Sequence, residues 1–283
     1  MNDKIIVITG ANSGMGLETT KLLSSKGAKI FAGYRGERGR EILEDLNDTN
    51  IIPIYLDVTC SSSVFEAFRQ IFELEKKIDV LINNAGYGYV SANEFADDTS
   101  IYDQFDVNVF GVFRTCREVV PYMRKHQTGQ IINISSFLGK MGLPLLSHYS
   151  ASKYAVEGLS NSLRYELAPF NIAVNTIAPG LFRTGFVNHG LHANELTSER
   201  TSPYAKTADA LLPTIVERIN QGIDPILVAE AVYESITDRS CQRVMVGNEG
   251  AFFESMKYEV GENHFENSVV DALGLPKTNY PSK

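Results

Sequence analysis

Tryptophan is absent from this 283-residue chain, and cysteine is scarce: Cys60, Cys116 and Cys241 are odd in number, far apart and without C-x-x-C spacing. That excludes a disulfide framework and a cysteine-based zinc site, leaving reduced, largely structural thiols. Basic charge is also short. Lys and Arg total 26 against 34 Asp and Glu, a formal net charge of -8, with no basic cluster to track a phosphate backbone. Nucleic acid is therefore not an expected partner. No apolar run is long enough to span a bilayer. MNDK leads straight into a short apolar segment with no leader-like cleavage pattern, so a cytoplasmic protein is expected.

What is present is a regular alternation. The runs KIIVITG, AKIFAGY, IIPIYLD, DVLINNAG, GQIINIS, IAVNTIAPG and RVMVG read as strands bounded by Gly, Asn, Asp or Pro. Most are continuously apolar, as strands covered on both faces of a parallel sheet must be. Helical patterns lie between them, over 15–26, 38–46, 61–76, 101–125, 149–167 and 225–237. In the fourth, Ile101, Phe105, Val109, Val112, Phe113, Cys116 and Val120 recur at helical spacing as one apolar stripe. The alternation predicts an α/β fold with a doubly wound, mainly parallel seven-stranded sheet and helices on both faces, in one domain over residues 1–283. Residues 185–222 fit no strand and are expected to form a partly helical lid, and 256–283 a polar C-terminal extension that wraps the domain or mediates assembly.

The strand tips carry the chemistry. After the first strand the chain reads Thr9-Gly10-Ala11-Asn12-Ser13-Gly14-Met15-Gly16 and enters a helix at once. Glycines there allow a tight turn and close backbone approach, and the helix N-terminus offers amides to a pyrophosphate. The second tip, Gly33-Tyr34-Arg35, has a cation and no acid at the position that would face an adenosine ribose. That favours NADP(H) over NAD(H), because a carboxylate would repel the extra phosphate while arginine pairs with it. Arg38 adds a second cation, and Glu37 argues the other way. Asp57 and Val58 close the third strand as a polar acceptor and an apolar wall for adenine. Asn84-Ala85-Gly86 closes the fourth, where small residues let backbone run beside a cofactor and Asn84 can bond adjacent main chain.

Further on, Tyr149-x-x-x-Lys153 lies downstream of Ser136. Residues four apart on a helix point the same way, so an ammonium lies beside a phenol and favours its ionised form. A serine hydroxyl can donate to a developing oxyanion. Alone, such a pair is as common as any solvated helical pair; with the four tips it describes a proton-transfer site beside a hydride carrier.

In order and approximate spacing, T-G-x-x-x-G-x-G, N-N-A-G, Asn108 in FDVNVFG, Ser136, Y-x-x-x-K and Pro179-Gly180-Leu-Phe-Arg-Thr184 resemble the short-chain dehydrogenase/reductase family over roughly residues 4–184, on its hydroxysteroid/retinol dehydrogenase-like branch. The resemblance implies nicotinamide-dependent interconversion of a ketone or aldehyde and its alcohol. It makes Tyr149 the proton donor and Ser136 the group orienting the carbonyl oxygen. Lys153 would hold the nicotinamide ribose and lower the tyrosine pKa, and Asn108 would support a water linking the lysine to solvent. Pro179, Gly180 and Phe182 would lie against the nicotinamide carboxamide, with Thr184 near the phosphates. A homodimer or homotetramer, paired through helices 101–125 and 149–167, is implied as well. An NAD-linked alcohol dehydrogenase and a non-catalytic nicotinamide-binding regulator are the alternatives.

Phe137, Met141, Leu143, His148, Tyr87 and Tyr89, with Phe186 from the lid, are candidate walls of a small apolar carbonyl or alcohol pocket. His189, His192 and Glu195 imitate a metal-ligand set but lack the H-E-x-x-H pattern, so no metal is expected.

Overall fold

The structure, a computed structural model, describes residues 1–184 and 190–275, the side chains of 262 and 263 excepted. Strands β1 (Ile5–Ile8), β2 (Lys29–Tyr34), β3 (Ile51–Tyr55), β4 (Val80–Asn83), β6 (Gly129–Ile134), β7 (Ile172–Pro179) and β9 (Arg243–Val246) form one sheet in the order β3-β2-β1-β4-β6-β7-β9. Every pairing in it is parallel. Pro53, which has no amide hydrogen to give a ladder, sits in the edge strand β3.

Alternation along the strands divides the core between two faces. Ile5 and Val7 of β1, Leu81 of β4 and Ile131 of β6 join one cluster, with Val64 and Phe68 of α3 (Ser61–Glu75), Val112 and Cys116 of α5 (Gly111–His126), and Val156 of α6 (Ser147–Leu167). Ile6, Ile8, Ile82 and Ile132, one residue out of phase, join the other. There they meet Leu23 of α1 (Gly14–Ser25), Leu43 of α2 (Glu37–Glu44) and Val228 and Val232 of the helix Ile226–Thr237. This is the expected Rossmann-type sheet with helices on both faces. Order reverses between β1 and β4, so the tips after these adjacent strands open a crevice at the sheet's C-terminal edge.

Three elements depart from the sequence expectation. The helix expected over 101–125 is α4 (Asp98–Phe105), a π-helical turn (Asp106–Phe110) and α5, so the stripe does not hold as one face: Phe113 is exposed. Residues 190–222, expected to hold no strand, contain one. Leu191–Ala193 (β8) pairs in parallel with Gly88–Val90 (β5), followed by the helices Glu195–Ser198 and Ala205–Asn220. Polar as it reads, the C-terminal stretch forms helices Asn248–Val260 and Glu262–Ala272, whose Phe253, Phe265 and Val269 enter a third apolar cluster with Phe137 and Leu143. Phe186, His189 and the terminal 276–283 lie outside the described residues.

Candidate active site

Four tips interlock before any ligand is considered. Thr9 Oγ1 accepts hydrogen bonds from the amides of Asn84 and Ala85, each at 3.0 Å, while Asn84 Nδ2 donates to the carbonyls of Thr9 (3.0 Å) and Gly10 (2.9 Å). Gly10 and Gly14 occupy the left-handed region, φ +62 and +49, which only glycine visits freely. A Cβ on Gly16 would collide with the Gly10 carbonyl and the Asn84 amide, so Gly16 serves packing of helix on turn rather than ligand contact. Ser13 precedes α1 without capping it through its side chain, which leaves the first-turn amides to another acceptor.

From there a groove of about 880 Å³ runs across the crevice, lined by Gly10, Asn12, Ser13, Gly14 and Met15, then by Tyr34 and Arg35, and by Asp57 and Val58. Asn84, Ala85, Gly86, Tyr149, Lys153 and Thr184 complete it. Asp57 Oδ1 accepts from the Thr59 amide (3.0 Å) and hydroxyl (2.7 Å), which fixes the turn. Arg35 is exposed and joins no salt bridge among the described residues. Glu37, the acid nearest in sequence, is bonded by Arg40 on its own helix and so is taken away from Arg35. These residues fit a dinucleotide: a glycine turn with uncapped amides for phosphates, a free guanidinium at the β2 tip, and a small-residue tip after β4. Sequence reasoning missed Ser100, Asp103 and Asp106, which line the same groove from α4 and the π turn.

Pro179, Gly180 and Phe182 lie instead on a second, apolar cavity of about 100 Å³ next to the groove. Gly180 is fixed by its amide bond to the Val246 carbonyl (2.8 Å), and a Cβ there would come within 2.6 Å of Glu249 Oε2. Of the expected walls, Phe137 and Leu143 line this cavity. Met141 and His148 do not: Met141 is buried in the third core cluster, and His148 Nε2 lies 3.1 Å from Asn93 Oδ1. Tyr87 and Tyr89 line the groove. Part of the missed wall comes from Leu212, Ile215, Val216 and Ile219, one stripe of the helix Ala205–Asn220, whose i, i+3, i+4, i+7 spacing was a legible signal.

Tyr149 and Ser135 border both spaces, with Ser136 on the apolar one. Ser136, in extended backbone at the end of β6, accepts from the Leu138 amide (3.2 Å) and lines the apolar cavity together with Tyr149. Burial pushes the phenol up to about 12, against the pull of Ser136. Lys153 is 6% exposed; burial brings it down to about 8, opposed by the Glu157 carboxylate. Its Nζ donates to the Ile134 carbonyl at 3.0 Å and lies 5.7 Å from the Tyr149 ring centroid. The expected depression of the tyrosine by this lysine is thus not a property of the protein alone, where burial dominates.

Asn108 is tied to two elements. Nδ2 donates to the Tyr87 carbonyl (2.9 Å) and to Ser152 Oγ (3.0 Å), and Oδ1 accepts from the Tyr87 amide (3.0 Å). Both amide hydrogens therefore clamp the β4 tip to α6. The π turn presents this side chain there, a common use of such turns at functional sites. His192, from the sequence's metal-like set, meets the Tyr87 ring edge-on, with centroids 5.1 Å apart.

With this geometry in place, the comparisons are specific. The family model described as short chain dehydrogenase matches residues 4–194. A 3-ketodihydrosphingosine reductase from Bacteroides thetaiotaomicron is 38% identical over 240 residues, 85% of this chain and 86% of that protein. An uncharacterized oxidoreductase of Bacillus subtilis, YusZ, is 36% identical over 241 residues, 84% of this chain and 86% of its own. The crystal structure of a short-chain dehydrogenase from Streptomyces avermitilis superposes with a TM-score of 0.82 at 28% identity, covering 98% of this chain and 100% of that one.

Proposed function

The chain belongs to the short-chain dehydrogenase/reductase family of nicotinamide-dependent oxidoreductases, and from that premise we propose that it is an NADP(H)-dependent reductase of a ketone or aldehyde borne on an apolar body. One observation carries the proposal: Tyr149 borders both the polar groove and the apolar cavity, and Ser136 lines that cavity with it. A carbonyl compound filling the cavity presents its oxygen there.

Bound in the groove, the reduced nicotinamide supplies hydride to the carbonyl carbon. Tyr149 gives its phenolic proton to the oxygen, completing the alcohol, and Ser136 steadies the same oxygen while negative charge builds on it. A phenol held near 12 stays fully protonated at neutral pH, which suits the acid needed for reduction more than the base needed for alcohol oxidation. Lys153 in its ammonium form adds positive charge beside the phenolate as it forms. Asn108 holds the β4 tip and α6 in register, so that the groups from each keep their spacing.

Preference for NADP(H) is supported by Arg35, free at the β2 tip, and by the capture of Glu37 by Arg40. A carbonyl as substrate is supported by the reductase name of the Bacteroides relative. Exposed Phe110 and Phe113, with Tyr154 and Tyr165 of α6, support self-association through α5 and α6. The test is direct: protein mixed with NADPH and a panel of carbonyl compounds consumes the reduced cofactor with apolar ketones or aldehydes. No consumption across the panel contradicts the proposal.

A further inference from the structure

Behind the site lies a buried charge cluster with no part in the chemistry above. Glu157, one helical turn beyond Lys153 on α6, is 3% exposed. Its Oε1 lies 3.2 Å from Nε of Arg243 on β9, and its Oε2 accepts from Thr176 of β7 at 3.5 Å. Arg243 reaches the other way with Nη1, 3.2 Å from Glu254 on the helix Asn248–Val260, while its Nη2 is buried without a hydrogen-bond partner among the described residues. A Cβ on Gly139 would come 3.0 Å from Glu157 Cγ, 3.2 Å from the Lys153 carbonyl and 2.8 Å from Ser135 Oγ, so the carboxylate stem packs directly under the serine loop.

We propose that Glu157, shared with Arg243, is a positioning residue for Lys153: its carboxylate holds the neighbouring ammonium charged, and Arg243 limits that hold by drawing the same carboxylate towards Glu254. This inference rests on the role given to Lys153 under Proposed function. Its physical basis is the low dielectric of the site, where charges act over several ångströms that water would screen.

The charged and titratable groups around the pair are few. Lys153 faces Tyr149 and Glu157 on its own helix, with the Ile134 carbonyl of β6, Gly86 after β4 and Asn108 of the π turn as uncharged neighbours. Glu157 faces Arg243, Thr176 and, on its own helix, Arg164, which bonds the carbonyls of Val174 (2.9 Å) and Gln242 (2.8 Å). Glu157 and Arg243 carry opposite charges near the same ammonium, which makes the inference testable in both directions. Removing the negative charge disfavours the ammonium, and removing the positive one favours it.

The experiment follows the Lys153 side chain by NMR in protein labelled at the lysine ε-carbon, its signal assigned by loss in Lys153→Arg. Expected is a fall in its titration midpoint of roughly one pH unit in Glu157→Gln and a rise of similar size in Arg243→Gln. Arg243→Lys restores the wild-type value, which a merely structural role for Arg243 would not require. If Glu157→Gln does not fold, the half-buried Arg243→Gln alone carries the test through its predicted rise. Unchanged midpoints in folded variants, or shifts of the same sign, overturn the proposal. Cofactor consumption is measured separately: opposite NMR shifts without carbonyl reduction would sink the proposed function and leave this inference standing, and reduction with unmoved midpoints would do the reverse.

Discussion

Lys153 Nζ donates to the carbonyl of Ile134 at 3.0 Å. That bond ties the middle of α6 to the end of β6 and aims the ammonium past Gly86 into the groove. Burial brings the group down to about 8, so the ammonium on which the mechanism depends is lost as pH rises through that value. Reduction is therefore expected to fall on an alkaline limb near 8, measured as kcat/KM against pH.

The same displacement has a consequence for stability. A lysine that titrates lower in the fold than in the unfolded chain leaves the unfolded state holding more protons between about 8 and the ordinary lysine value of 10.5, so stability from this group rises with pH across that window. Lys153→Met removes the rise. Melting temperature of the wild type minus that of the variant should climb between those two pH values; a flat difference contradicts the assignment.

Arg35→Ala tests the groove's choice of cofactor. Loss of a charge-assisted contact to a phosphate is worth about 1.5–3 kcal/mol, which is roughly 10- to 100-fold in affinity. NADPH binding should weaken by that factor and NADH binding hardly at all, measured by titrating cofactor fluorescence. Equal effects on both would remove the role given to Arg35.

Gly16→Ala puts a Cβ against the Gly10 carbonyl and the Asn84 amide, neither of which can move without breaking the tip-to-tip bonds. Expected are a lower melting temperature and at least roughly tenfold weaker cofactor binding, since small misplacements of a binding turn are costly. Wild-type affinity in the variant would show that the interlock is not needed.

Ile215 projects into the apolar cavity from the helix Ala205–Asn220. Ile215→Trp fills space that a long apolar body would occupy. KM should rise for carbonyls with extended apolar chains and stay near wild type for small ones, in steady-state assays across a length series.

How far the sequence spoke depended on what each element needed. Strands such as Ile5–Ile8 and Val80–Asn83 are covered on both faces, so they had to be continuous apolar runs, and such runs are legible. Gly10, Asn84, Tyr149 and Lys153 were legible because each answers to a local chemical requirement at a strand tip or helix turn. The paired strands Gly88–Val90 and Leu191–Ala193 were not, since three residues give no period and their pairing is a tertiary event. Nor was the π turn around Asn108: in sequence the apolar spacing reads through it as one helix, yet the extra residue takes Phe113 off the buried face and turns Asn108 onto Tyr87. The stretch 256–283 reads as polar because most of its surface is, and the buried Phe265 and Val269 that seat it on the third cluster are too few to show a stripe.

The central claim is that Tyr149 delivers the proton, and replacing its hydroxyl tests it. In Tyr149→Phe, carbonyl-dependent consumption of NADPH should fall by roughly 10²- to 10⁴-fold, the usual worth of a positioned general acid, while NADPH binding stays within a few-fold of wild type. Turnover by the folded variant at the wild-type rate would contradict the account.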